Sequence, residues 1–551
     1  MLRGTSPTPF PMRRSAALRT LALAGAARLL LPAPAAAQAG DSVRAPTPSD
    51  TSRNAAGFAV GGERDERARL AQVLGSQGTA GYLLRSAGPG VQSGPAGPGG
   101  LTVFAPEARV VFNSDLPFSL NEGSLWAGRG VSTRVRWGAQ ARLGGVLLTL
   151  LPEATYSRNR RYQVRPYISG TDVRNAYASP FHGFPQSADL PSRFGADAAV
   201  RLSPGQSSLV IPAGAFRFGA ATAAQWWGPG VRNALVMSGN APSIPHAFFR
   251  TGRPLRTGIG EVEGVWMLGW LTESSYFDFR GSNKYRSLSA FAATFRPAAE
   301  PGLTLGVTRA VYSPLAPVRF LPSRALDAFL PAHADTASSG RDREQILGVF
   351  GRWVFPESGL ETYFEWATRQ PPGSLRELLA TPQRGRAYTV GLQWAHPLEG
   401  DGAFRVQAEA TNLQQDSLAQ SFYTSSVVAQ GYTQRGRTIG AAIGPGASSQ
   451  WVAADLFRPA WRMGVSLGRY RWEDDAFYQF YTLHTPVGHD VSLLGGVHLG
   501  RDLGPFALDG EVLSGTRYNY LFQNSSNSFS DIRAVDVRNF TASLTVSRPV
   551  H

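Results

Sequence analysis

The sequence predicts an all-β chain: a closed antiparallel transmembrane barrel of the outer membrane with about 16 to 18 strands, preceded by a short helical periplasmic segment. Three observations carry this. Apolar and polar residues alternate with a period of two from Leu101 onward. The polar connections alternate between short and long. No apolar run approaches the roughly 18 residues that a membrane-spanning helix needs.

The N-terminus reads as a secretory signal over 1–37. Arg13, Arg14 and Arg19 precede an apolar run over 21–31, and Ala35, Ala36 and Ala37 offer a small-residue cleavage site. Either Met1 or Met12 serves as its start. Residues 38–60, rich in Ala, Ser, Thr, Pro and Asp, read as a linker. A helix is expected over 63–74, because Glu63, Asp65 and Glu66 suit a first turn, Leu70, Val73 and Leu74 recur at helical spacing, and Gly75 follows as a stop. So short a helix needs a docking partner, and the expected one is the periplasmic opening of the barrel. A Gly/Pro-rich spacer over 86–100 ends this periplasmic linker and plug segment (38–100), and the barrel is expected over 101–551.

Three stretches illustrate the barrel pattern. Val135, Trp137, Ala139, Ala141 and Leu143 oppose Arg134, Arg136, Gln140 and Arg142. Tyr388, Val390, Leu392 and Trp394 oppose Thr389, Gly391 and Gln393; Phe404, Val406, Ala408 and Ala410 oppose Arg405, Gln407, Glu409 and Thr411. Charge on the inner face means that face is wet, which inverts the pattern of a soluble sandwich. Short periplasmic turns are expected at 144–145, 203–206, 297–302, 356–359, 397–402 and 501–504. Long extracellular connections are expected at 155–195, 220–258, 313–344, 369–385, 413–450 and 516–536. The final strand is read over 539–547, with Phe540, Ala542, Leu544 and Val546 outward.

Within this frame the densest functional signal is 225–250. Trp226 and Trp227 stand before Gly228, Pro229 and Gly230, so two large rings are held at a chain reversal, with Arg232, Asn233, Asn240 and Arg250 following. Flat rings beside amide and guanidinium donors suit a polyhydroxylated ligand, the rings covering the C–H face of a sugar. The alternative is that the pair anchors a loop at a membrane interface. Strand direction puts this loop and 432–446 at the same outer mouth, where Tyr432, Arg435 and Arg437 would join the tryptophans.

WWGPG followed by Ser238, Asn240, Ala241 and Pro242 resembles the hallmark of the Wzi family of capsule-assembly outer-membrane proteins. A second match lies in YTQRGRTIGAAIGPG, 432–446, which resembles that family's G-R-x-I-G loop, although Ala441 stands where that family often has His. The resemblance implies about eighteen strands and a non-catalytic, lectin-like protein that attaches or helps assemble capsular or exopolysaccharide. Its ligand residues here would be Trp226, Trp227, Arg232, Asn240, Arg250, Tyr432, Arg435 and Arg437. The alternative function is an outer-membrane porin or passive channel, which requires an open lumen.

Composition narrows the partners. The net charge of +15 is carried by arginines, Lys284 being the single lysine, and they are scattered rather than blocked. Nucleic acid is thus not expected; an acidic polysaccharide and lipopolysaccharide are. Zero cysteine excludes disulfides and thiol chemistry. The eight histidines show no metal-binding spacing, and there is no G-x-S-x-G elbow, so no metal, cofactor or catalytic residue is expected. Glu473, Asp474 and Asp475 read as a solvated acidic loop, and Glu361 and Glu365 as lumen-facing partners of arginines. A monomeric barrel in the outer membrane is expected.

Overall fold

The computed structural model describes residues 61–88, 100–164, 179, 181, 187–277, 283–330, 343–369, 374–380, 385–415, 419–481, 488–522 and 536–548. The expected signal segment and the linker over 38–60 lie outside them.

Among the described residues, eighteen antiparallel wall strands close into a barrel. In chain order they are Leu101–Asn113, Gly130–Leu143, Val146–Leu150 continued by Glu153–Ser157, Ala199–Ser203 continued by Ser208–Ala213, Phe216–Ala221, His246–Thr251 continued by Leu255–Thr257, Gly260–Thr272, Tyr285–Pro297 and Leu303–Pro314. Glu344–Phe355, Leu360–Thr368, Arg386–Leu398, Gly402–Asn412, Ser448–Arg458, Trp461–Arg471, Val491–Leu503, Phe506–Tyr518 and Val537–Ser547 complete the wall. The last strand closes on the first, Ala108 facing Val546 and Asn113 facing Thr541.

The alternation read from the sequence is realised. Tyr388, Val390, Leu392 and Trp394 are 41 to 48% exposed on the outer face, whereas Thr389 and Gln393 between them are 0% and 1% exposed. The outer surface is an apolar band, with Trp353 and Trp394 towards one rim and Tyr156, Tyr388 and Tyr518 towards the other. This is an outer-membrane barrel, and the outer membrane is its location.

Short turns at 144–145, 214–215, 258–259, 298–302, 356–359, 399–401, 459–460 and 504–505 gather at one end and the long connections at the other. The turn expected at 203–206 is corrected. It is an interruption inside one wall strand, beside a matching break at 151–152 in its neighbour, and Leu151 bridges to Gly205 there. Gly205 sits at φ +59°, and a Cβ on it would lie 2.3 Å from the Leu151 carbonyl oxygen, so the crowding of two strands, not a reversal, explains the glycine. The reversal is at Gly214. Since Phe216–Ala221 still leaves the short-turn end, the 222–245 connection is at the end where the sequence reading put it.

The lumen is filled. The helix Glu63–Val73 lies inside the short-turn end, and its polar face is buried as deeply as its apolar one: Asp65, Glu66, Arg69, Leu70, Gln72 and Val73 are all buried. Leu70 and Val73 pack with wall residues Val354, Ala395, Ala403 and Phe457. Ion pairs do the rest. Arg69 binds Glu361, which also takes Arg352 at 2.7 Å, and Glu66 meets Arg405 at 2.6 Å. Burial alone would raise the Glu66 carboxyl, but the Arg405 and Arg462 guanidinium groups outweigh it and hold it at about 2.

From the helix the chain climbs the lumen, and Leu84–Ser86 pairs with Gln225–Trp227 as a two-stranded sheet within the barrel. Leu235, Val236, Met237, Tyr423, Tyr432 and Ile439, from two inward-folded connections, meet wall residues Met267, Tyr312 and Phe350 in one apolar core.

Candidate functional site

Trp226 and Trp227 are not an exposed platform. They are 2% and 1% exposed, inside the lumen, with Arg85 opposite Trp226 and Leu84 opposite Trp227 in the inner sheet. Trp226 Nε1 donates to the Gly230 carbonyl at 3.1 Å, and the Arg85 guanidinium lies 5.5 Å from its ring centre. The Gly-Pro-Gly turn that follows is held by two wall carboxylates. Glu365 accepts from the Gly230 and Leu235 N–H groups, each at 2.8 Å, and Glu409 accepts from Val231, Arg232 and Asn233 and from the Tyr363 hydroxyl. Of the two carboxylates expected to pair with arginines, Glu361 does so and Glu365 instead receives backbone N–H groups.

The two motif loops do converge, and most of the remaining candidate residues make the joint. Asn240 Nδ2 donates to the Thr438 carbonyl and hydroxyl at 3.0 and 2.9 Å, while its Oδ1 accepts from Arg437 at 3.2 Å. Arg437 also donates to the carbonyls of Ser119, Gly123 and Leu125. The Tyr432 hydroxyl donates to Val236 and Ser238 N–H to Ile439. Arg250, 6% exposed, donates to the Leu84 carbonyl at 3.1 Å. Arg232 lies over the Trp451 ring at 5.2 Å. Asn240, Arg250, Tyr432 and Arg437, expected to meet a ligand, are thus buried struts, and the partners named here lie about 170 to 320 residues away in sequence.

Arg435 differs. Gln434, Arg435, Gly436 and Arg437 form a two-residue hairpin between Thr433–Gln434 and Arg437–Thr438, with φ +48° at Arg435 and +86° at Gly436. Left-handed values at both central positions are the twist that a tight hairpin requires. Arg435 at the tip is exposed, and its N–H is fixed by the Thr272 carbonyl at 2.8 Å.

Around this tip lie residues that the sequence reading did not single out. Phe194 packs on Gly436, where a Cβ would come within 2.8 Å of the ring. Trp126 and Tyr276 flank Phe194, with ring centres at 4.9 and 6.0 Å, and the Arg201 guanidinium stands 5.5 Å over Phe194. Arg201 is exposed on the lumen side of its strand and close enough to Arg435 for the two charges to repel. Two exposed cations beside the partly exposed Trp126 and Tyr276 rings, which pack on the buried Phe194, are chemically equipped to take an anionic, ring-faced ligand. The alternation at Arg201 was the one available signal; Trp126 and Tyr276 sit in connections that were not recognised as loops.

The acidic loop is also corrected. Asp474 is fully buried, bonded to Arg471 at 2.8 Å and His489 at 2.6 Å, and Asp475 is 2% exposed. Among the described residues, the side chains grouped closely enough to hold a metal ion are Glu63, His498 and Asp509, at the short-turn end.

No protein-family model and no curated protein matches the chain. Among solved structures it is similar to the outer-membrane protein Wzi of Escherichia coli, described as a carbohydrate-binding β-barrel involved in group 1 capsule assembly. The TM-score is 0.52 at 13% identity, over 81% of this chain and 85% of that one. Weaker likenesses reach OccAB2 of Acinetobacter baumannii (TM-score 0.38, 10% identity, 80% and 97% covered) and the channel DcaP of the same organism (0.31, 8%, 81% and 96%). At these identities the comparison shows the fold, that of an outer-membrane barrel.

Proposed function

We propose that this protein is a non-catalytic outer-membrane barrel that retains an acidic capsular or exopolysaccharide at the cell surface, as the likeness to Wzi in fold and in the WWGPG and GRTIG motifs suggests. The filled lumen carries the reading. A general porin needs a continuous aqueous path, whereas here a helix seals one end and two inward loops build an apolar core across the interior. Such a barrel is a scaffold for its outer face, and the function then rests on the long-loop end.

In this reading the tryptophan motif acts from within. Trp226 and Trp227 set the inner sheet, the joint through Asn240 and Arg437 fixes the second loop, and that loop holds Arg435 out beside Arg201 and the Trp126, Phe194 and Tyr276 rings. The polymer is anionic because the groups offered are guanidinium and aromatic. Purified protein in vesicles, titrated with an acidic and a neutral polysaccharide and recorded in a planar bilayer, tests the proposal. Salt-sensitive binding of the acidic polymer with no channel conductance is expected; porin-like conductance without binding would overturn it in favour of a channel.

A further inference from the structure

We propose that Glu63, His498 and Asp509 form a zinc site that fastens the plug helix to the barrel wall. The three residues come from three segments. Glu63 is the first residue of the helix Glu63–Val73, His498 lies on Val491–Leu503 and Asp509 on Phe506–Tyr518. Their ligand atoms all lie within 4.8 Å of one another, and His498 Nε2 is 3.1 Å from Asp509 Oδ2. Metal–ligand bonds of about 2.1 Å in tetrahedral array separate ligand atoms by about 3.4 Å, so the wall pair is already near that spacing, and the Glu63 ligand atom lies within 4.8 Å of both.

The wall makes room for the helix residue. Gly500 faces Asp509 across the ladder, and a Cβ on it would come 3.2 Å from Glu63 Oε2. All three side chains are half-buried, so an ion has access from the aqueous end of the lumen. One imidazole and two carboxylates, with a position left for water, suit zinc; calcium and magnesium would ask for oxygen ligands throughout.

The competing cations are accounted for. Arg67 binds Glu63 through Oε1 at 2.6 Å and leaves Oε2 to the metal. Arg462 approaches Oε2 at 3.3 Å but holds Asp455 through Nε and Nη2 at 3.0 and 2.8 Å, so it keeps a carboxylate when zinc replaces it. Arg109, the other cation acting on Asp509, is bonded to Glu122. His498 spends one ring nitrogen on Asp509, and its Nδ1 is buried with no hydrogen-bond partner, so no second bond ties the ring to a structural duty. The sequence concealed the site because Glu63 lies more than 400 positions before His498 and Asp509, and those two, 11 apart, have no motif spacing.

The test uses the full-length, untagged protein in detergent, stripped with a chelator and titrated calorimetrically with Zn2+, and with Co2+ followed by visible absorption. One saturable site and a low-symmetry Co2+ spectrum are expected, with His498→Ala and Asp509→Asn each weakening Zn2+ at least about tenfold. Zn2+ should also slow proteolysis within 61–88 in the wild type but not in Glu63→Gln. A wild type that takes up neither ion saturably, or a site that survives His498→Ala at full affinity, overturns the proposal; the wild-type Co2+ spectrum decides the matter even where a variant fails to fold.

Discussion

Glu365 and Glu409, on two different wall strands, divide between them the backbone N–H groups of a single turn: Gly230 and Leu235 donate to the first, Val231, Arg232 and Asn233 to the second. Two carboxylates thereby do for an irregular loop what a sheet ladder does for a strand. The motif that follows the tryptophans is fixed by residues of the barrel wall, and this explains how a Gly-Pro-Gly reversal can sit deep in a lumen without orphaned donors.

Removing one of them should loosen the inner loop and leave the barrel intact. Glu409→Ala strands three N–H groups and the Tyr363 hydroxyl, each worth about 1–3 kcal/mol if left unsatisfied, whereas Glu409→Gln keeps an acceptor and should cost less. Hydrogen exchange across 228–235 is expected to accelerate strongly in the alanine variant while heat-modifiable gel mobility is retained. Unchanged exchange there would refute the clamp.

The plug gives a conductance prediction. Arg69→Ala leaves Glu361 with Arg352 and Gln393, and breaking a buried pair in this way typically costs about 3–5 kcal/mol. Deleting 61–88 removes both the helix and the inner strand Leu84–Ser86. Bilayer recordings should find the wild type closed, Arg69→Ala opening intermittently and the deletion conducting steadily. A wild type already open would contradict the occluded lumen.

What was legible in the sequence follows from where each partner lies. Strand faces were readable because the solvent on each side is uniform: lipid demands Val390 and Leu392, and the interior demands Gln393. The helix was found from Leu70 and Val73, yet its buried charged face was not, since Glu361, Arg405 and Arg462 are about 290 to 400 residues away. The tryptophans were recognised as special and misplaced for the same reason, their strand partner lying about 140 residues earlier. Asp474 and Asp475 looked solvated because adjacent acids usually are; Arg471 and His489 pay for the burial of the first.

Asp475 makes one loop pH-sensitive. Burial pushes its carboxyl up to about 7, against the lowering effect of the Gln415 N–H at 2.8 Å. An acid whose folded pKa is raised favours the folded loop most fully below its unfolded value of about 3.9, and that contribution is lost as pH rises towards 7. Protease protection of 413–447 should therefore be greater at pH 5 than at pH 8. Asp475→Asn, neutral at both, should remove most of the difference; a difference that persists would assign the effect to another group.

The last prediction separates the scaffold from the ligand site at the outer mouth. Arg435 and Arg201 are exposed, so replacing either by alanine costs the fold little and removes one screened charge contact, about 0.2–1 kcal/mol each. Trp126→Ala removes a partly exposed ring, about 0.5–1.5 kcal/mol by analogy with other aromatic contacts. Individually weak terms matter for a polymer because repeated engagement multiplies them, so binding of an acidic polysaccharide should fall by much more than one unit's share and lose its salt dependence in the double arginine variant. Trp226→Ala and Trp227→Ala act differently. Each empties a space in a buried core, a loss of about 3–5 kcal/mol, so any fall in binding should be accompanied by faster proteolysis of the inner loops. If Arg435→Ala with Arg201→Ala leaves polymer binding and its salt dependence untouched in a barrel of normal abundance, the mouth is not the ligand site, however well the tryptophan variants abolish retention.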